Sequence, residues 1–180
     1  MRKSLNFSSL SLGNTLLSQE SDLIRNTLIA TSWRSGSSFL GELLAQYPGT
    51  FYYFEPLHYY AQKVTAQSSV IREEEFLETL FRYQFGDSNH GFLEHVRDRK
   101  NSFLLSHHNK RLWDSCKMFP EGKRLEACFS EDYLNKVCPR FPLRLIKTVR
   151  LRVQKTKMLL ENLPNTKILV LVRDPRAVFR

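Results

Sequence analysis

The chain has 180 residues, 42% of them hydrophobic and 25% charged, proportions that exclude a disordered chain and suit one domain with its own core. No run approaches the ~20 apolar residues of a membrane span, and the N-terminus lacks a signal-peptide pattern. The net charge of +9 comes entirely from the last quarter, where residues 140–180 hold 11 Lys/Arg against two Asp/Glu; such a segment attracts polyanions, but no nucleic-acid module or basic-aromatic motif accompanies it, so nucleic acid is set aside.

Residues 1–26 are rich in Ser, Asn and Leu without a steady period and read as a tether, with one glycosylation sequon at Asn6-Phe7-Ser8. The run 27–30 has the length and β-branched content of a buried strand, and a small-residue turn follows it. Phe39, Leu40, Leu43 and Leu44 then recur at helical spacing until Tyr47-Pro48-Gly49 stops the helix. In a strand-turn-helix of this kind the turn's N–H groups and the positive end of the helix dipole converge on one point, which suits a phosphate or sulfate. Gly36 permits close backbone approach, Ser35, Ser37 and Ser38 add hydroxyl donors, and Arg34 adds a forked positive charge. Small residues also turn well without any ligand; the arginine inside the turn favours the anion. One turn glycine and no lysine separate the stretch from the nucleotide-triphosphate loop G-x-x-x-x-G-K-[ST].

A second strand is predicted at 51–54, broken by Glu55-Pro56. Ligand crevices of open α/β sheets lie beyond the carboxyl ends of the strands, so Glu55 is expected near Arg34. There it can accept a proton as a general base, or else cap a helix or pair with Arg34. His58 is a reserve base, with a packing or surface role as the alternative.

The segment 63–99 is expected to be helical, Phe76, Leu77, Leu80, Phe81 and Tyr83 packing inward while Glu73, Glu74, Glu75 and Glu78 form a solvated acidic face, with a loop at 86–91. His107-His108 has no third ligand at useful spacing, which argues against a metal. Residues 101–142 read as loop-rich, with one short helix at 131–137 capped by Ser130. Cys116, Cys128 and Cys138 lack zinc spacing and read as three buried thiols, or as one bridge plus one thiol, the pair left open.

A buried strand at 143–149, an amphipathic helix at 154–163 and an apolar strand at 167–172 make a βαβ unit, the last strand expected to be covered on both faces. Lys155 and Lys157 are expected on a solvated face. Arg173 emerges at the carboxyl end of the last strand, Asp174 suits a helix cap and Pro175 a first helical turn; Arg176 is a weaker anion candidate, its alternative a surface salt bridge.

Trp33-Arg34-Ser35-Gly36-Ser37-Ser38-Phe39 resembles the 5′-phosphosulfate-binding loop of the Golgi carbohydrate 6-O-sulfotransferases that act on galactose, N-acetylglucosamine or N-acetylgalactosamine, and Ile168-Leu-Val-Leu-Val-Arg173-Asp174-Pro175-Arg176-Ala177-Val178 resembles their 3′-phosphate segment. Phe54-Glu55-Pro56 matches the family's F-E-P segment, whose glutamate is the favoured base. The resemblance covers most of 27–180 and is thinnest between 63 and 141. It implies an α/β, P-loop-like three-layer sandwich with a central parallel sheet flanked by helices, here incomplete at its C-terminus, since the family pattern continues past Val178 to a further serine. It also implies sulfuryl transfer from 3′-phosphoadenosine 5′-phosphosulfate (PAPS), without a metal, to a glycan or glycosaminoglycan. Trp33 to Phe39 and Arg173 would hold the donor, and Arg34 and Glu55 would act on the reacting atoms. Members carry a lumenal Golgi domain on a membrane anchor that this sequence does not display. The rival expectations are a P-loop kinase or hydrolase using Asp174, and a non-enzymatic polyanion-binding module.

Overall fold

The computed structural model describes residues 25–59, 72–86, 90–118, 120, 123–174 and 176. The sequon, most of the tether, residues 63–71 and 87–89, Pro175 and the chain after Arg176 lie outside the described residues.

Four strands, β1 (Arg25–Thr31), β2 (Thr50–Phe54), β3 (Leu143–Thr148) and β4 (Thr166–Leu171), form one parallel sheet in the order β2-β3-β1-β4. Successive residues of a strand point to opposite faces, and the two cores follow from that alternation. Leu28, Phe51, Tyr53 and Ile146 face the larger core, where α2 (Glu73–Phe81) contributes Phe76, Leu77, Leu80 and Phe81 and α8 (Thr156–Asn162) contributes Leu159. Ile29, Tyr52 and Leu145 face the other way, against Leu40 and Leu44 of α1 (Ser37–Ala45). The expected α/β class, a parallel sheet with helices on both faces, is the one observed. Gly41 of α1 sits over Tyr52, and a Cβ there would collide with the phenol.

Strand β1 begins at Arg25, inside the stretch read as tether, because backbone pairing needs no apolar side chains: Arg25 is in register with Leu143, and the buried Asn26 amide donates to Thr166 Oγ1 at 3.3 Å. Strand β4 departs from expectation. It lies at the sheet's edge among the described residues, paired with β1, and Leu169 and Val170 are 39% and 51% exposed. An apolar run makes a strand suited to double cover, but α1 lies over β2, β3 and β1 and leaves an open groove beside Leu43, Leu145 and Leu169.

The stretch read as loop-rich is mostly helical. After α3 (His90–Arg97) come α4 (Phe103–Ser106), α5 (Lys110–Ser115), α6 (Arg124–Cys128) and α7 (Glu131–Val137), the last capped by Ser130, whose hydroxyl accepts from Tyr133 N at 3.3 Å. These helices are too short for periodicity to declare itself. Cys116 and Cys128 form a disulfide across them, and Cys138 is a buried free thiol. Asn109, between α4 and α5, closes the outer edge of β2: its amide accepts from Tyr52 N at 2.9 Å and donates to Tyr52 O at 2.8 Å.

Two charge expectations are corrected. Glu74 is buried, and Lys155 is no free surface cation: it meets Glu73 at 2.9 Å and Glu74 at 3.5 Å because α8 docks along α2. Lys157 stays on the surface, near Glu161. Among the described residues no helix is long and apolar enough to cross a membrane.

Candidate active site

Because all four strands run parallel, their carboxyl ends lie along one edge of the sheet, and the segment leaving each strand reaches the same region. The Ser/Gly turn leaves β1, Glu55 leaves β2, Arg150 follows β3 and Arg173 follows β4.

The turn is shaped by backbone conformations that side chains resist. Arg34 and Gly36 have φ of 63° and 87°, and Gly36 precedes α1 with no side-chain cap, leaving the first N–H groups of that helix for another acceptor. A Cβ at Gly36 would meet nothing within 4 Å, so the glycine serves the backbone conformation and borders open space. Thr31 anchors the turn: its hydroxyl donates to Leu171 O at 2.7 Å and lies 2.7 Å from Ser35 Oγ, whose proton it can accept. Trp33, Arg34, Ser35, Gly36, Ser37 and Ser38 line a pocket of about 330 Å³ together with Glu55, His58, Lys147 and Arg150. Phe39 does not line it and stands 73% exposed on the helix. Arg173 does not line the pocket either; it touches the turn, its guanidinium donating to Arg34 O at 2.8 Å. Arg176 pairs with Asp174 at 2.6 Å, the salt bridge that was its alternative.

Glu55 is buried, also in the left-handed region (φ 49°), and its carboxylate is fully engaged. Oε1 accepts from Lys147 Nζ at 2.6 Å, and Oε2 accepts from Arg150 Nη1 at 2.8 Å and from Val149 N at 3.3 Å. Lys147 lies 4.7 Å from the centre of the Phe54 ring, and the Arg150 guanidinium lies 5.0 Å from that of Trp33. The alternative reading, in which Glu55 pairs with Arg34, is not observed: two cations from β3 and its exit hold the carboxylate instead. Position at a strand's carboxyl end, which marks Glu55 on β2, marks Lys147 and Arg150 equally on β3 and its exit. Burial, and then the charge of Arg150, hold the His58 imidazole below its ordinary pKa, while Glu55 acts the other way. Its Nδ1 lies 3.4 Å from His95 Nε2. No group of three or more His, Cys, Asp or Glu among the described residues is placed to hold a metal.

The donor named above can be tested against these residues. The open space beside Gly36, the uncapped start of α1 and the cluster of Arg34, Lys147 and Arg150 form a cradle of donors and positive charge, the chemistry a phosphosulfate requires. The residues present fit the group.

No family model and no solved structure matches the chain. Curated relatives do. Over 86% of its length it is 31% identical to carbohydrate sulfotransferase 5 of Homo sapiens (41% of that protein) and 32% identical to carbohydrate sulfotransferase 4 of Mus musculus (44%). Identity to carbohydrate sulfotransferase 7 of Rattus norvegicus is 30%, over 83% of this chain and 37% of that one. The chain spans less than half the length of these relatives. With similarity running through nearly the whole chain, and with the turn that carries the resemblance lining a cationic pocket, the chain belongs to the carbohydrate sulfotransferase family.

Proposed function

We propose that the pocket binds PAPS and that the protein to which this chain belongs transfers its sulfuryl group to a sugar hydroxyl, a 6-hydroxyl of a glycan or glycosaminoglycan, in the Golgi lumen. When bound, PAPS supplies the activated sulfuryl group. The turn amides, Ser35, Ser37, Ser38 and Arg34 hold the 5′ end and stabilise charge on the departing oxygen; Trp33 walls the pocket, and Arg173 takes the 3′-phosphate. Glu55 accepts the acceptor's proton as the hydroxyl oxygen bonds to sulfur and the sulfur–oxygen bond to the donor phosphate breaks. The protein's contribution is positioning and charge stabilisation, without a metal.

One observation supports this reading: the turn, Glu55 and Arg150 leave three different strands yet line one pocket, and Arg173, leaving the fourth, lies outside that lining but touches the backbone of Arg34. The test is thermal stabilisation of the chain by adenosine 3′,5′-bisphosphate, with magnesium-ATP as comparison. Stabilisation by the bisphosphate is the expected result; stabilisation by ATP alone assigns the pocket to a kinase or hydrolase and overturns the proposal.

A further inference from the structure

The geometry points to Arg150 as a donor-binding residue that Glu55 holds in readiness, the Glu55 carboxylate occupying on Arg150 the position that an anionic oxygen of the phosphosulfate takes when the donor binds. This inference rests on the sulfotransferase reading and adds a residue to it.

Glu55 carries one negative charge and two cations. Lys147 alone neutralises it: its side chain is 5% exposed and its Nζ sits 2.6 Å from Oε1, a short bond in a water-poor place. Arg150 is therefore in excess. It lies 2.8 Å from Oε2 with a side chain 21% exposed, on the pocket's wall rather than beneath it. Among the described residues only Nη1 of its fork has a side-chain oxygen as partner, so the remaining N–H donors of a group built for bidentate anion binding stay open to a ligand. The Trp33 ring, 5.0 Å from the guanidinium, supports the arginine from the turn that would cradle the donor. A guanidinium flanked by a carboxylate on one side and an anion-shaped turn on the other can pass from the first to the second without leaving the pocket. Its departure leaves Glu55 with Lys147 and the Val149 N–H as partners.

The experiment is calorimetric titration of the chain and of Arg150→Gln, Glu55→Gln and the double variant with PAPS and separately with adenosine 3′,5′-bisphosphate. Loss of a charge-assisted contact weakens binding about 10- to 100-fold in Arg150→Gln. Weakening for PAPS alone places Arg150 on the sulfonate, weakening for both nucleotides places it on the 5′-phosphate, and either supports the inference. Glu55→Gln removes the competing charge and is expected to bind the donor several-fold more tightly, a gain that disappears in the double variant; a merely structural Glu55 gives the opposite sign. If Glu55→Gln does not fold, Arg150→Gln decides alone. Unchanged affinity in Arg150→Gln, with binding by the unsubstituted chain, overturns this inference and leaves the donor site standing. Absence of binding by the unsubstituted chain overturns both.

Discussion

Arg173 and Arg34, 139 residues apart, meet where the Arg173 guanidinium donates to the Arg34 carbonyl oxygen at 2.8 Å. The contact joins the exits of β1 and β4, neighbours in the sheet, and holds a residue whose φ is positive. It makes one surface of the two segments that carry the family resemblance.

Replacing Arg173 by Ala should therefore act on binding and not on folding. The side chain is exposed, so stability changes by no more than about 0.5 kcal/mol. Affinity for adenosine 3′,5′-bisphosphate falls about 10- to 100-fold as one charge-assisted contact is lost. Melting and titration on the same variant separate the two effects, and equal affinity in variant and parent would remove Arg173 from the site.

Glu55 and Lys147 form a buried pair, and breaking it leaves an uncompensated charge. Glu55→Ala should destabilise by about 3–5 kcal/mol, whereas replacing both, as in Glu55→Leu with Lys147→Met, should recover most of that loss. Urea unfolding of the parent and the two variants checks it; a double variant as unstable as the single one argues against the charge explanation.

Cys138 is buried, and burial pushes its thiol far above the ordinary range, so alkylation of the native chain should be negligible. In denaturant without reductant, one thiol should label; after reduction, three. The bridge closes a 12-residue separation and should contribute about 3 kcal/mol, read as the stability difference between oxidised and reduced chain.

His108 stacks on Phe54 and lies beside Tyr52, ring centroids 4.8 Å apart in each case, and burial, reinforced by His107, lowers its pKa to about 4. A histidine whose pKa is lower in the folded than in the unfolded state favours folding fully above the unfolded value of about 6.5. That contribution is lost as pH falls from about 6.5 to about 4. His108→Phe keeps an aromatic ring and removes the titration, so its stability should vary less with pH across that window. Parallel acid profiles of parent and variant would contradict the assignment.

Local readings succeeded where a residue's neighbours in sequence decide the outcome. Ser130 caps α7 because its hydroxyl needs only the N–H three residues on, and the Ser/Gly turn forms because Gly36 admits a left-handed φ. They failed where cover or partner is distant. Glu74 reads as one of a solvated row until α8 brings Lys155 to it, and Asn109 reads as an ordinary loop residue although it pairs the edge of β2.

Taken by itself, the order of residues determined that strands alternate with helices and that an anion-shaped turn follows the first of them, since periodicity, turn chemistry and caps act over a few bonds. It also determined the family, through two short motifs at opposite ends of the chain. Only the tertiary structure decided that β4 lies at the sheet's edge among the described residues, that Phe39 and Arg173 stay off the pocket wall, that Cys116 and Cys128 pair, and that Glu55 faces Lys147 and Arg150 instead of Arg34. The physical reason is range. Burial and ion pairing depend on which surfaces the sheet order brings together, and that order places β3 between β1 and β2, over a hundred residues from the first and nearly a hundred from the second in the chain.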